Sequence, residues 1–227
     1  SRESIELFEV DLQEKDIRLN WRGCVLAAHD TIMNDVVGLS NGDLIFTRMF
    51  RSEPSVAERA LSILGFDTGD VWRWGKTNGL RILSGTDASE PNGLEIAPNE
   101  KYIYVNMYFE SEVWKINIDT DQVIAKAKVA YPDNSAWAQD GTLWIASHSG
   151  PIWEQAKCLQ TQSQPCGAPF QIISLDPETM ETKLIYSHKG PPMGAATVAV
   201  AQSDRVYIGS FVGDRMVSVP ISEFITQ

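Results

Sequence analysis

Cysteine and histidine are scarce in this chain of 227 residues, with three of each. No compact Cys/His set exists, so a zinc centre has nothing to form from. Basic charge is also short. Lys and Arg number 19 against 30 Asp and Glu, a net charge of -11. That excludes the basic face a nucleic-acid binder needs, and it raises the local cation concentration near acidic loops. No apolar run approaches the roughly 20 residues that cross a bilayer, and no signal peptide opens the chain. There is no glycine-rich phosphate loop. A Ser-His-Asp hydrolase is a poor fit for want of a nucleophile elbow.

What is there is a long series of short apolar or alternating runs, enough, at 43% apolar residues, to bury a substantial core. Turn chemistry separates them, as at Ser40-Asn41-Gly42-Asp43, Ala97-Pro98-Asn99-Glu100, Gln139-Asp140-Gly141 and Asp176-Pro177-Glu178. The pattern predicts an all-β fold in a single domain over residues 1–227. Strands are expected from Ser4–Val10 through to Arg215–Val219. One helix is expected, from Pro54 to Leu64, with Ser55 as its N-cap and Glu58 in its first turn.

The runs repeat. Asn34-Asp35-Val36-Val37-Gly38-Leu39 followed by Gly42–Thr47 matches Asn92-Gly93-Leu94-Glu95-Ile96-Ala97 followed by Lys101–Asn106. Asn134–Ala138 with Gly141–Ala146, and Ala196–Val200 with Asp204–Gly209, are further copies. Each is a strand, a tight turn and a second strand, with a third strand after it. Such units mark propeller blades, and the chain holds nearly four. Ser4–Asp11 is expected either to be the last strand of a preceding blade or to close the final blade beside Arg215–Val219.

Three loops lead into the first strand of a unit and carry oxygen donors: Met33–Val37, Glu90–Leu94 and Tyr131–Ser135. Taken singly, their Asn and Asp residues suit ordinary turns. As a repeated set, Asn34, Asn92, Asp133 and Asn134 would converge on the axis, an arrangement that suits calcium. Asp35 divides between a ligand role and a turn cap. His148 follows a strand in the unit of Asp133 and is either a pocket residue or a loop histidine. His29 is expected at the surface and His188 in a loop. Met49 and Phe50 divide between substrate contact and core filling, and Trp114, Trp137 and Trp144 are expected between blades. Cys24 is expected to be buried. Cys158 and Cys166 bracket a polar loop, either as two thiols or as a disulfide that would point to an oxidising compartment. The compartment otherwise stays open.

These residues resemble the paraoxonase and arylesterase branch of the calcium-dependent six-bladed propellers, which also include regucalcin-like gluconolactonases and strictosidine-synthase-like proteins. The resemblance is carried by Ser4–Val10, by Asn34-Asp35, by Asn92–Val105 against the family's NG-x-x-x-SPDGKY-x-YV segment, by Asp133-Asn134 with Gly141–Ala146, and by Ala196–Ala199 with Val206–Gly209. It implies a six-bladed type of propeller with about four blades in this chain. It also implies a catalytic Ca2+ on Asn34, Asn92, Asp133 and Asn134, with Asp35 at a second, structural calcium. His148 would line the pocket as a catalytic residue, and the substrate would be a small ester or lactone. The family's further acidic ligand and its histidine loops have no counterpart here. The chain alone is therefore expected to be an N-terminally truncated piece with weak calcium affinity and little activity. A non-catalytic scaffold or ligand-binding propeller is the competing reading, and a sugar lactonase a third.

Overall fold

The computed structural model describes residues 2–13, 16–158 and 166–225, without the side chain of Ile225. It opens with a two-stranded ribbon, β1 (Ser4–Gln13) and β2 (Asp16–Leu26). Four antiparallel blades follow. The first is β3 (Ile32–Gly38), β4 (Leu44–Phe50), β5 (Asp70–Gly75) and β6 (Gly79–Ile82), with helix α1 (Val56–Ile63) between β4 and β5. The second is β7 (Pro91–Ile96), β8 (Tyr102–Met107), β9 (Glu112–Asn117) and β10 (Val123–Lys128). The third is β11 (Pro132–Trp137), β12 (Leu143–His148), β13 (Phe170–Leu175) and β14 (Thr182–His188), with α2 (Ile152–Cys158) between β12 and β13. The fourth has three strands, β15 (Ala196–Gln202), β16 (Arg205–Ser210) and β17 (Val217–Pro220), then a short α3 (Ser222–Ile225). This is the expected all-β propeller arrangement. The first strand of each blade lies innermost, and β3, β7, β11 and β15 are neighbours in that order.

The core lies between blades, because a blade buries both faces only against its neighbours. Ile45 and Val71 of the first blade pack with Ile103, Val105 and Ile116 of the second. Tyr104 and Val113 pack with Leu143 and Ile145 of the third. Trp144 and Phe170 pack with Ala199, Val206 and Ile208 of the fourth. The tryptophans bridge blades as expected. Trp137 Nε1 donates to Ile96 O at 2.8 Å, Trp114 belongs to the cluster between the first two blades, and Trp144 stacks on Phe224. Helix α1 carries a full capping box, Ser55 accepting from the Glu58 N–H and Glu58 reaching back.

Three expectations are corrected. β1 pairs neither with β17 nor as a final strand: it pairs along its whole length with β2, which the polar Asp16-Ile17-Arg18-Leu19-Asn20 run concealed. Cys24 is exposed, because the ribbon has no sheet packed on either face. β6 and α2 escaped prediction, each being short and only half apolar.

Candidate functional site

Each innermost strand is entered through a non-glycine residue with a left-handed backbone: Asp30 (φ 57), Glu90 (φ 52), Tyr131 (φ 40) and Ala195 (φ 50). Such residues cost about 1 kcal/mol or more apiece; Glu90, Tyr131 and Ala195 immediately precede their strands, and Asp30 lies one residue further back. The ladder then slips in each inner strand, between Met33 and Val36, Pro91 and Leu94, Pro132 and Ser135, Ala196 and Val198. A bulge re-aims the side chains it contains. Asn34-Asp35, Asn92-Gly93, Asp133-Asn134 and Thr197 therefore do not sit in loops before the strands. They are the bulges of the inner strands. Gly93 shows how tight the convergence is: a Cβ there would lie 2.6 Å from Asn134 Cα and 2.6 Å from Asp133 O.

One cavity of about 550 Å3 collects Asn34, Asn92, Asp133, Asn134, Thr197 and His148. Met49 joins them, whereas Phe50 is buried core. Asp35 does not line it. Its carboxylate accepts from the Leu94 N–H at 2.9 Å and the Val36 N–H at 2.8 Å, tying β3 to β7. Its outer side meets a second hollow beside Arg2 and Glu3. Burial raises the Asp35 carboxyl above its ordinary range, and burial with Asp35 nearby pushes Glu95 to about 7.

Asp133 is the electrostatic centre. It is 8% exposed, and burial first, then the Asp35 charge, pushes its carboxyl up to about 7. Asn134 Nδ2 donates to Asp133 Oδ1 at 2.7 Å and to Thr197 O at 3.1 Å. Asn106 Nδ2 donates to the Asp133 carbonyl at 2.7 Å. No Lys or Arg pairs with the carboxylate among the described residues, and its nearest basic group is His148 Nε2, 3.7 Å from Oδ2. His148 is 3% exposed, so burial holds it neutral, down to about 4. Its Nδ1 lies 2.7 Å from Tyr108 Oη. Burial, then the Asp133 charge, drives the Tyr108 hydroxyl well above its ordinary value.

Do these residues fit a cation? A buried carboxylate without a countercharge is costly and invites one. Asn92 Oδ1 is buried and has no hydrogen-bond partner among the described residues. Both observations fit. The donor set is poor in charge, since no three His, Cys, Asp or Glu side chains gather at one point among the described residues. In the present arrangement Asn134 offers its amide nitrogen to Asp133, bracing that carboxylate.

Several cavity residues gave no advance signal. Tyr108, Phe109 and Phe211 arrive from strand ends, Arg59 and Ile63 from α1, and Ile152, Gln155 and Ala156 from α2. Glu90 also lines it; its carboxyl is raised by burial, and Ser62 of α1 donates to it at 2.7 Å. The exposed His29 and Trp153 stay outside the cavity, and His188 ends β14. Cys158 and Cys166 form a disulfide; the polar residues 159–165 between them lie outside the described residues. Gly38-Leu39-Ser40-Asn41-Gly42 does spell the G-x-S-x-G pattern, contrary to the expectation that none exists. It forms the turn between β3 and β4, where Ser40 Oγ donates to Glu100 at 2.7 Å. A nucleophile elbow needs a strand–turn–helix instead.

A family model described as arylesterase matches residues 1–216. The chain belongs to the arylesterase family. Human serum paraoxonase/arylesterase 2 is 22% identical over 134 residues, 57% of this chain and 37% of that protein. A gluconolactonase from Xanthomonas campestris superposes with a TM-score of 0.55 at 19% identity, covering 89% of this chain and 62% of that one. A luciferin-regenerating enzyme gives 0.54 at 16% identity, over 91% and 64%. The chain thus spans little more than a third of the length of that curated relative. It is a propeller of a hydrolase family. No helix among the described residues is long and apolar enough to cross a membrane.

Proposed function

We propose that the protein is a calcium-dependent hydrolase of small carboxylic esters or lactones. The observation that carries this is a pair of oxygen donors in one cavity: the buried Asp133 carboxylate, without a Lys or Arg countercharge among the described residues, and Asn92 Oδ1, without a hydrogen-bond partner among them. Asn34, Asn92 and Asp133 would hold the cation. Asn134 would join them once its amide is turned, because its Nδ2 now faces the carboxylate that would bind the ion. Calcium, when bound, supplies Lewis-acid polarisation of a carbonyl and stabilises the oxyanion that develops. Asp35, outside the cavity, would serve a second, structural ion.

The chain's own residues supply the rest. His148 is neutral at physiological pH and can accept a proton from water. With its own proton on Nδ1 donated to Tyr108 Oη, Nε2 is left as the base, and Asp133 at 3.7 Å would stabilise the imidazolium. Met49, Ile63, Phe109, Ile152 and Phe211 make a mainly apolar wall around these few polar groups, the usual build of a small-molecule site. The Cys158–Cys166 disulfide supports an oxidising compartment.

Hydrolysis of phenyl acetate and of a panel of lactones tests this, run in millimolar calcium and in chelator. Activity that needs calcium and falls with Asp133→Asn is expected. Activity indifferent to both would overturn the reading. Ligand binding without turnover would favour a non-catalytic propeller.

A further inference from the structure

Four buried side-chain polar atoms lack a partner among the described residues: Thr31 Oγ1, Asn92 Oδ1, His148 Nε2 and Gln155 Oε1. Three of these residues line the same cavity. The metal and the general base account for Asn92 and His148, and nothing so far uses Gln155. Its side chain is 5% exposed. Its orientation is set from behind: Nε2 donates to Pro169 O at 3.2 Å and points to Ser149 O at 3.4 Å. Both of those groups are acceptors, so only the nitrogen end of the amide can face them. Oε1 is therefore left as an acceptor with both lone pairs unused. The backbone that holds it is built in. α2 is closed by the Cys158–Cys166 disulfide, and the Glu154 N–H is bonded to Pro151 O at its start.

A buried acceptor left unmet costs about 1–3 kcal/mol, and a site retaining one discriminates strongly for ligands that satisfy it. A cation is a poor answer for Gln155, because no three His, Cys, Asp or Glu side chains gather to hold one among the described residues. The neighbouring wall is apolar, from Ile152, Ala156 and Phe211. We propose that Gln155 is a specificity-determining residue that accepts a hydrogen bond from the substrate. It selects esters or lactones that carry a hydroxyl on an otherwise apolar body. This rests on the hydrolase reading for its substrates, but it does not require turnover.

Three aryl esters separate the possibilities: phenyl acetate, 4-hydroxyphenyl acetate and 4-methoxyphenyl acetate, with a hydroxylated lactone, its methyl ether and its deoxy form as a second set. The hydroxyl compound donates, the methoxy compound only accepts, and the parent does neither. In the full chain the hydroxyl compound of at least one set should exceed its methoxy partner by about tenfold or more in kcat/KM. In Gln155→Met that ratio should fall to near one while the parent compound is little changed. Calorimetric binding of the same compounds in chelator should show the same preference in Kd. Thermal melts of the variant establish that it is folded. If Gln155→Met does not fold, the wild-type ratios decide. No donor preference in either set, in turnover or in binding, overturns the proposal and leaves the hydrolase reading standing. Preference in binding without any hydrolysis upholds Gln155 and overturns the hydrolase reading.

Discussion

Asn92 and Asn34 occupy the same bulge in adjacent blades, yet Asn92 is nearly sealed and Asn34 is exposed. The difference follows their surroundings. β7 and β11 have a blade on each side, and the residues behind them, such as Ile103 and Ile145, are wholly buried. Among the described residues β3 has the second blade on one side and, beside it, the start of the ribbon, where the Met33 N–H donates to Glu3. That ribbon sets Phe8 opposite Trp21, Val10 opposite Leu19 and Leu12 opposite Ile17 on one face, and all six are exposed. The same oxygen chemistry is thus buried at one place and exposed at the other. Burial, which makes an unpaired oxygen costly, is what turns an asparagine from a turn residue into a ligand candidate.

The comparison can be broken most directly by truncating apolar residues on each side. Ile103→Ala should destabilise by roughly 2–5 kcal/mol, whereas Leu12→Ala should stay within about 0.5 kcal/mol; urea unfolding reads both. Equal losses would show that the ribbon is packed in solution. At the site, Asp133→Asn should lower ester or lactone kcat/KM by about 100-fold or more, while the metal-free variant melts no lower than wild type. Asn92→Ala should remove more of the calcium-induced rise in Tm than Asn34→Ala, and the reverse order would refute the argument from burial.

A pH series sharpens the same point. In the folded chain the Asp133 carboxyl lies at about 7, above its ordinary 3.8. Between those values the folded state holds a proton the unfolded state has lost. Asp133 therefore lowers the stability of the metal-free protein as pH rises from about 4 to 7, as the raised Glu95 carboxyl also does, while the buried neutral His148 acts in the opposite sense. Asp133→Asn should remove the Asp133 part, so that the variant gains stability relative to wild type as pH rises from about 4 to 7, and calcium should offset it too, as paired urea titrations would show. A last, modest effect lies at a residue that does not line the cavity. Ser55→Ala removes the α1 cap and should cost about 1 kcal/mol, with little change in activity.

Much of the fold was legible because strand alternation and turn chemistry are local. Gly42, Gly141 and the Asx turns announce themselves, and the Ser55–Glu58 box marks α1 within four residues. The recurring Asn and Asp of the inner strands were legible because they recur. Position within the strand was not. The left-handed entry at Glu90 and Tyr131 and the bulges that follow depend on how neighbouring blades press together, as the hypothetical Cβ of Gly93 against Asn134 makes plain. Asp35, divided in the sequence between a ligand role and a turn cap, is turned out of the cavity and accepts from the β7 backbone.

By itself the sequence determined a repeat of antiparallel strands in nearly four units, an acidic net charge and the oxygen donors at one end of three inner strands. All of these rest on contacts within a few residues. Tertiary structure alone decided which donors are buried, that His148 meets Tyr108 and Asp133, and that α1 and α2 bring Glu90's partner Ser62 and the orphaned Gln155 to the cavity. Those outcomes join residues far apart in the chain, as in the Asn134–Thr197 and Asp35–Leu94 bonds. Burial and convergence are properties of packed blades, and no local pattern in the chain encodes them.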